Sequence, residues 1–296
     1  MMPDSGKLLI EKWRKRGKIC RVLTHDVFVY QSGNAKPHLL ILHGYPTSSF
    51  DFVGVLPILE DHFNVVIHDH LGFGFSDKPI DYSYSLFDQT AVALELWQQL
   101  GIEEGHLVAH DYGTSVATEL IAQKNQGMEK IKFSSLTLCN GSVHIEFADL
   151  RIVQRLLSNS IIGPWVATLS SQFVFNINMK RLWGDSSSLD QSELDAMWIL
   201  LTLNGGRSVL PKLTGYLHER RKYWDRWIGA LRESDLKTLI LWGDKDPVAV
   251  SKIADALKED MPHADLVWIP EVGHYPMMEA PKLWAKSVIE FLRVES

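Results

Sequence analysis

Short apolar runs that alternate with longer amphipathic segments constrain this chain most. Six such runs, each followed by a turn or a polar cluster, have the composition of strands buried on both faces, and they lie at residues 38–42, 65–67, 107–109, 133–138, 238–242 and 266–269. Helical patterns occupy residues 85–100, 113–123, 252–257 and 282–292. This alternation predicts an α/β fold, a mostly parallel and doubly wound sheet with right-handed crossovers. A hairpin of residues 19–23 and 27–30 is expected to precede it.

The alternation stops between about residues 141 and 232, where no strand pattern is convincing. Helical patterns near residues 150–157, 192–203 and 209–229 carry many aromatic side chains instead. We expect residues 142–232 to form a helical cap that interrupts one sheet. The core of the fold would then comprise residues 1–141 and 233–296.

Composition excludes several classes of function. The 296 residues suit one large domain or one domain with an insertion, and the net charge of -6 shows no nucleic-acid footprint. The basic run at residues 12–18 is interpreted as a solvated N-terminal face. We predict no integral membrane segment, since no run of 18 apolar residues occurs. Two cysteines without metal or disulfide spacing favour a cytoplasmic location, and the chain is expected to be a monomer or homodimer.

The strongest chemical signal is an aspartate between a predicted strand and a predicted helix. Asp111 has the small residues Ala109 and Gly113 two positions before and after it. This is the small-x-nucleophile-x-small pattern of a nucleophile elbow, in which a sharp turn projects the middle side chain from the sheet. An aspartate here is also a common helix cap, so the motif alone leaves that alternative open.

Three further motifs favour the nucleophile interpretation. An HGYP turn after an earlier strand predicts an oxyanion hole made by the backbone N–H groups of Tyr45 and Tyr112. GDKDP after a later strand supplies an orienting acid, Asp246, with Asp244 as its nearby rival. His274 follows the last strand and is the expected base. Nucleophile, acid and histidine therefore occur in the order expected along the chain.

A carboxylate nucleophile implies a particular reaction. Asp111 is expected to be ionised at neutral pH and to attack an sp³ carbon, forming an alkyl-enzyme ester. His274 would then activate water to hydrolyse that ester, while Asp246 holds its ring. We expect neither a cofactor nor a metal, and a small apolar organic substrate besides water.

These motifs resemble the α/β-hydrolase superfamily, in its haloalkane dehalogenase and epoxide hydrolase branch. The phrases HGYPTSSFDF, DHLGFGFSDKP and HDYG are most similar to the mesoderm-specific transcript protein group. The resemblance covers about residues 18–291 and implies the α/β-hydrolase fold with an inserted cap. The side chains expected to contact the substrate are His43, Phe175, Trp198 and Tyr216.

The resemblance favours an epoxide over a haloalkane. Haloalkane dehalogenases usually hold the halide with a Trp after the nucleophile and a second donor from the HGNP turn or the cap. Tyr112 and Tyr45 occupy those positions here, although Trp165, Trp183 or Trp198 remains available in the cap. Epoxide hydrolases usually protonate the epoxide with cap tyrosines. Of that pair only one tyrosine is matched, by Tyr216 ahead of Tyr223, so the donor pair is incomplete or Tyr45 or Tyr112 contributes the other hydroxyl. A catalytically silent small-molecule-binding protein on the same scaffold is the third alternative.

Overall fold

A single eight-stranded sheet forms the centre of the molecule. The structure is a computed structural model that describes residues 4–293. The strands are β1 (Lys18–Val22), β2 (His25–Gln31), β3 (His38–Leu42), β4 (Asn64–His68), β5 (Glu104–His110), β6 (Lys132–Cys139), β7 (Thr238–Gly243) and β8 (Asp265–Ile269). Their spatial order is β1-β2-β4-β3-β5-β6-β7-β8. The pairs β1–β2 and β2–β4 are antiparallel, and all other pairs are parallel. The predicted α/β-hydrolase architecture is confirmed.

Helices cover both faces of this sheet. Outside the interrupted region they are α1 (Asp4–Arg16), α2 (Leu56–Glu60), α3 (Leu86–Gln99), α4 (Tyr112–Asn125), α12 (Ser251–Asp260), α13 (Pro276–Glu279) and α14 (Pro281–Arg293). The strands are apolar on both sides because helices bury them on both sides. β3, β4, β6 and β7 are almost wholly buried.

The segment between β6 and β7 is helical, as its sequence predicts. We call residues 142–232 the insert. It contains α5 (Ile152–Leu157), α6 (Gly163–Leu169), α7 (Gln172–Lys180), α8 (Gln191–Thr202), α9 (Gly206–Leu213), α10 (Tyr216–Lys222) and α11 (Trp224–Arg232). The single helical pattern expected at residues 209–229 is divided into three helices. α6 and α7 were not predicted, because their apolar side chains lie on more than one face and show no clear period.

The basic N-terminal run is part of a packed helix. Lys12 and Lys15 are exposed, as expected of a solvated face. Trp13 between them is buried, however, and its indole N–H donates to the Ser49 hydroxyl at 3.3 Å. α1 also contacts the insert, since Gly6 lies directly against the backbone of Asp195. Within residues 4–293, no helix is long and apolar enough to cross a membrane.

The topology brings chemistry-bearing residues to one edge of the sheet. The carboxyl ends of β3, β5, β6, β7 and β8 meet there because these strands are parallel. In α/β sheets this edge is where ligands bind. It carries the HGYP turn, Asp111, Asn140, Asp246 and His274.

Candidate active site

Asp111 lies at a sharp turn between β5 and α4. Its backbone φ of 43° and ψ of -108° are rarely adopted by a non-glycine residue. The turn brings the start of α4 so close to β3 that a Cβ on Gly113 would lie 2.4 Å from the Leu42 carbonyl oxygen. The side chain of Asp111 makes no capping hydrogen bond to α4. The geometry is therefore that of an elbow that presents a carboxylate, and it differs from an ordinary helix cap.

His274 bridges the two buried carboxylates. Its Nδ1 lies 2.7 Å from Asp246 Oδ2, and its Nε2 lies 3.9 Å from Asp111 Oδ2. All three residues are buried. Asp244, the rival acid, is exposed. The structure thus brings together the three residues that the motifs predict as nucleophile, acid and base.

Asp246 is held by groups on both of its oxygens. Oδ1 accepts the backbone N–H groups of Val248 and Ala249, at 2.8 and 2.9 Å. Oδ2 accepts the side-chain amide N–H of Asn140 at 2.7 Å, in addition to facing His274. Asn140 was missed by sequence reasoning, although its place directly after β6 matches the strand-end positions of the other site residues. These bonds fix the carboxylate that orients the histidine.

The carboxylates determine the charge of His274. Burial lowers the pKa of His274, but Asp246 and Asp111 outweigh burial and raise that pKa to about 10. Burial raises the pKa of Asp111, whereas His274 and the Arg220 guanidinium lower it, and the net result is a pKa below its ordinary value. At neutral pH the site therefore holds an ionised Asp111 beside a protonated His274.

One of the two expected oxyanion donors contacts Asp111. The Tyr45 backbone N–H donates to Asp111 Oδ2 at 3.2 Å. Tyr112 is the first residue of α4, where backbone N–H groups have no partner within the helix. The donation from Tyr112 stays a prediction.

His43, one of the side chains expected to contact the substrate, lies in the core and is not among the residues that line the cavity described below. Its ring is fully buried, with Nδ1 2.8 Å from the Gly44 carbonyl oxygen. Nε2 accepts the backbone N–H of His70 at 3.0 Å. Because both ring nitrogens lie at backbone groups, His43 supports the HGYP turn from inside the core. His43, the histidine of the HGYP motif, therefore packs against backbone groups in the core.

A cavity of about 100 Å³ lies beside the triad, between the sheet edge and the insert. Its wall includes Tyr45, His274, Leu157, Phe175, Met179 and Trp198. Phe175 and Trp198, two of the side chains expected to contact the substrate, line this cavity. Its largely apolar wall suits a small apolar molecule. In residues 4–293 no three His, Cys, Asp or Glu side chains are grouped as a metal site requires.

Comparison with known proteins places this geometry in a family. The model of the α/β-hydrolase fold family matches residues 37–281. The chain belongs to the α/β-hydrolase fold family. LipZ of Mycobacterium tuberculosis, which is named as a hydrolase, is 38% identical over 283 residues, covering 96% of this chain and 98% of LipZ. The mesoderm-specific transcript protein of Mus musculus is 30% identical over 293 residues, covering 96% and 88%.

A solved structure agrees with this assignment. The haloalkane dehalogenase DbeA from Bradyrhizobium elkani superposes with a TM-score of 0.78, covering 93% of this chain and 97% of DbeA. At 23% identity this likeness shows the fold alone. The family match and the similarity to LipZ identify the chain as a hydrolase, as its sequence predicts.

The aromatic side chains of the hydrolase insert differ in their environments. The Tyr216 ring packs 5.8 Å from Tyr45 and 5.2 Å from Tyr112, between centroids, and is not part of the cavity wall described above. Trp183 stacks on Tyr275, with centroids 4.9 Å apart. Trp165 is exposed. Trp198 is thus the one of the three candidate tryptophans that reaches the cavity.

Arg220 of this α/β-hydrolase is a buried cation that the motifs do not indicate. Its Nη2 donates to the Asp111 carbonyl oxygen at 3.0 Å, and its other N–H groups donate to the hydroxyls of Ser115 and Ser142. The guanidinium lies 4.6 Å from the centre of the Tyr216 ring. α10 is thereby joined to the elbow. Arg220 is one of three consecutive basic residues at the end of α10, and nothing in the sequence singles it out for this contact.

Proposed function

We propose that this hydrolase uses Asp111 as a nucleophile, forms an alkyl-enzyme ester, and acts on small epoxides. The observation that carries the proposal is the position of Asp111 Oδ2, which accepts the Tyr45 N–H and faces His274. We also propose that the insert acts as a cap, since its side chains form much of the cavity wall.

The first step opens the epoxide. One oxygen of the ionised Asp111 attacks an epoxide carbon, a C–O ester bond forms, and the C–O bond of the ring breaks. Tyr45 protonates the released oxygen, and the His274 imidazolium replaces that proton on Tyr45. Tyr45 suits this role because its side chain lines the cavity, and because burial raises its pKa and keeps its hydroxyl protonated.

The second step hydrolyses the ester. Once Asp111 is esterified it loses its charge, so one of the two carboxylates that raise the pKa of His274 is gone. Neutral His274 then removes a proton from water, and hydroxide adds to the Asp111 carboxyl carbon. The Tyr45 N–H, with that of Tyr112, stabilises the oxyanion. The intermediate collapses by breaking the bond between the Asp111 carboxyl carbon and the alkyl oxygen. That oxygen takes the proton of the added hydroxyl, so the diol leaves and Asp111 is again an ionised carboxylate with one oxygen from water.

Haloalkane dehalogenation is the second candidate. The specific observation in its favour is Trp198, an indole on the cavity wall that is able to hold a departing halide. Against it, positions 45 and 112 carry tyrosines and supply no indole or amide side chain. A dehalogenase is among the structural neighbours, but only as evidence of the fold.

A substrate panel tests the proposal. Purified protein is incubated with small epoxides and small haloalkanes, and diol formation and halide release are measured in parallel. We expect diol formation, with Tyr45→Phe slower at ring opening than the matched variant Tyr216→Phe. Halide release without diol would establish the dehalogenase alternative, and tight ligand binding without any turnover would establish a silent binding protein. If Tyr216→Phe alone slowed ring opening, the proton donor would be Tyr216.

A further inference from the structure

Several large apolar side chains are exposed on the first three helices of the insert. On each of three consecutive helices two large apolar residues spaced four apart are exposed, and such residues share one helix face. The pairs are Ile152 with Leu156 on α5, Trp165 with Leu169 on α6, and Phe173 with Ile177 on α7. Ile161 and Ile162, in the connection between α5 and α6, are exposed as well. We call these eight residues the apolar face.

The side chains of the apolar face are not buried against the rest of the molecule. Trp165, Leu169 and Phe173 are 71%, 78% and 74% exposed. Val153 and Val166, which follow the first member of their pairs, line the cavity, and Val174 both lines the cavity and is 45% exposed. The three helices are therefore apolar on two sides, one toward the cavity and one toward solvent. A concentration of exposed large apolar side chains in one segment of this kind indicates an interaction site.

Charge around the apolar face indicates what covers it. Residues 150–184 contain four basic side chains and no acidic one, in a chain whose net charge is -6. Arg155, Lys180 and Arg181 are exposed. Arg155 lies 3.6 Å from Asp149, and both side chains are exposed. Such an exposed ion pair neutralises the positive charge of Arg155 only weakly. Large aromatic and aliphatic side chains beside lysine and arginine are the composition of segments that lie in the interface of an anionic membrane.

A second copy of the chain fits this surface less well. In a twofold dimer the same patch would meet itself, so the basic side chains would face each other. Like charges across an interface oppose association. A phospholipid surface instead presents acyl chains to the apolar residues and anionic headgroups to the basic ones.

We propose that the insert docks on an anionic lipid surface through the apolar face. The tryptophan and phenylalanine side chains enter the boundary between headgroups and acyl chains, while Arg155, Lys180 and Arg181 contact the headgroups. Docking is independent of the reaction that Asp111 performs. It also places the helices that wall the cavity against the lipid, from which an apolar molecule can partition.

Vesicle sedimentation tests this docking. The full chain is mixed with vesicles of phosphatidylcholine alone or of phosphatidylcholine with phosphatidylserine. We expect binding to the anionic vesicles, weakened near ~1 M salt, where the Debye length is about 3 Å. Trp165→Ser with Phe173→Ser is expected to weaken binding about tenfold or more. Lys180→Gln with Arg181→Gln is expected to weaken it by about tenfold or more, and only on anionic vesicles.

Matched variants decide between this surface and others. Leu23→Ser with Met128→Ser removes exposed apolar residues elsewhere and is expected to leave binding unchanged. Thermal unfolding should be the same for every variant, because all the altered side chains are exposed. The docking proposal is overturned by three outcomes: no binding to either vesicle, loss of binding only in Lys12→Gln with Lys15→Gln, or a dimer that Trp165→Ser with Phe173→Ser dissociates without any vesicle binding.

Discussion

At the scale of single residues, the charge of His274 depends on the two carboxylates beside it. Asp246 and Asp111 raise its pKa to about 10 in the folded protein, against 6.5 when unperturbed. A group whose pKa is raised by folding contributes stability that is complete below the unfolded pKa. That contribution is lost as the pH rises through the folded pKa.

A pH prediction follows for stability. We expect the free energy of unfolding to decrease as the pH rises from about 6.5 through about 10, more steeply in the wild type than in His274→Gln. Denaturant unfolding at several pH values measures both curves. Parallel curves for the two proteins would mean that the carboxylates do not hold the proton on His274.

The orienting acid has a matched control two residues away. Asp246→Asn is expected to lower kcat on the order of 10⁴-fold, because the amide no longer stabilises the cation and favours the wrong ring tautomer. Asp244→Asn, at an exposed position, is expected to leave kcat unchanged. Steady-state kinetics on the substrate that the panel identifies measures both. A similar loss of kcat in the two variants would contradict the assignment of Asp246 as the orienting acid.

Residue identities were predictable where a motif links them to a strand end. Asp111, Asp246 and His274 each follow a strand, so their sequence positions indicate a common edge of the sheet. The roles of His43 and Asn140 were not predictable in this way. His43 belongs to the motif but faces backbone groups, whereas Asn140 contacts Asp246 across 106 positions of the chain. Only the folded chain shows which way each side chain is directed.

At the scale of secondary-structure elements, the junction of α4 with β3 sets the elbow. A Cβ on Gly113 would lie 2.4 Å from the Leu42 carbonyl oxygen, so one of the two elements must shift. Gly229, by contrast, lies within α11 with open space around the position of a Cβ.

The two glycines make a matched pair of variants. Gly113→Ala is expected to destabilise the fold by about 1–3 kcal/mol through overpacking, and to lower activity by displacing Asp111. Gly229→Ala is expected to stabilise it by about 0.5–1 kcal/mol, since alanine favours a helix interior. Denaturant unfolding measures both changes, and equal effects would contradict the packing described for the elbow.

Arg220 couples α10 to the elbow. Arg220→Met retains much of the side-chain volume but removes the donors to Asp111, Ser115 and Ser142. We expect a loss of about 3 kcal/mol in the free energy of unfolding, because buried acceptors lose a charged donor. The exposed neighbour is the control, and Arg221→Met should change stability by less than about 0.5 kcal/mol. Similar losses in both would show that the buried contacts contribute nothing.

At the scale of the whole molecule, the order of the strands and helices was predictable. The environments of the insert helices α6 and α7 were not. Alternating apolar runs indicate the sheet because every central strand is buried on both faces. α6 and α7 lack that regularity, since one of their faces lines the cavity and another is exposed. The packing of α1 could not be predicted from the sequence either, because Trp13 is a single buried residue within a basic run.

The proposed reaction of this hydrolase depends on covalent attack by Asp111. Its most direct test is a single turnover in heavy-oxygen water with enzyme in excess over the substrate that the panel identifies, followed by proteolysis and mass spectrometry of the peptide that contains Asp111. We predict one heavy oxygen in the Asp111 carboxylate, because water attacks its carboxyl carbon. Product that carries the heavy oxygen while Asp111 remains unlabelled would contradict an ester on this residue.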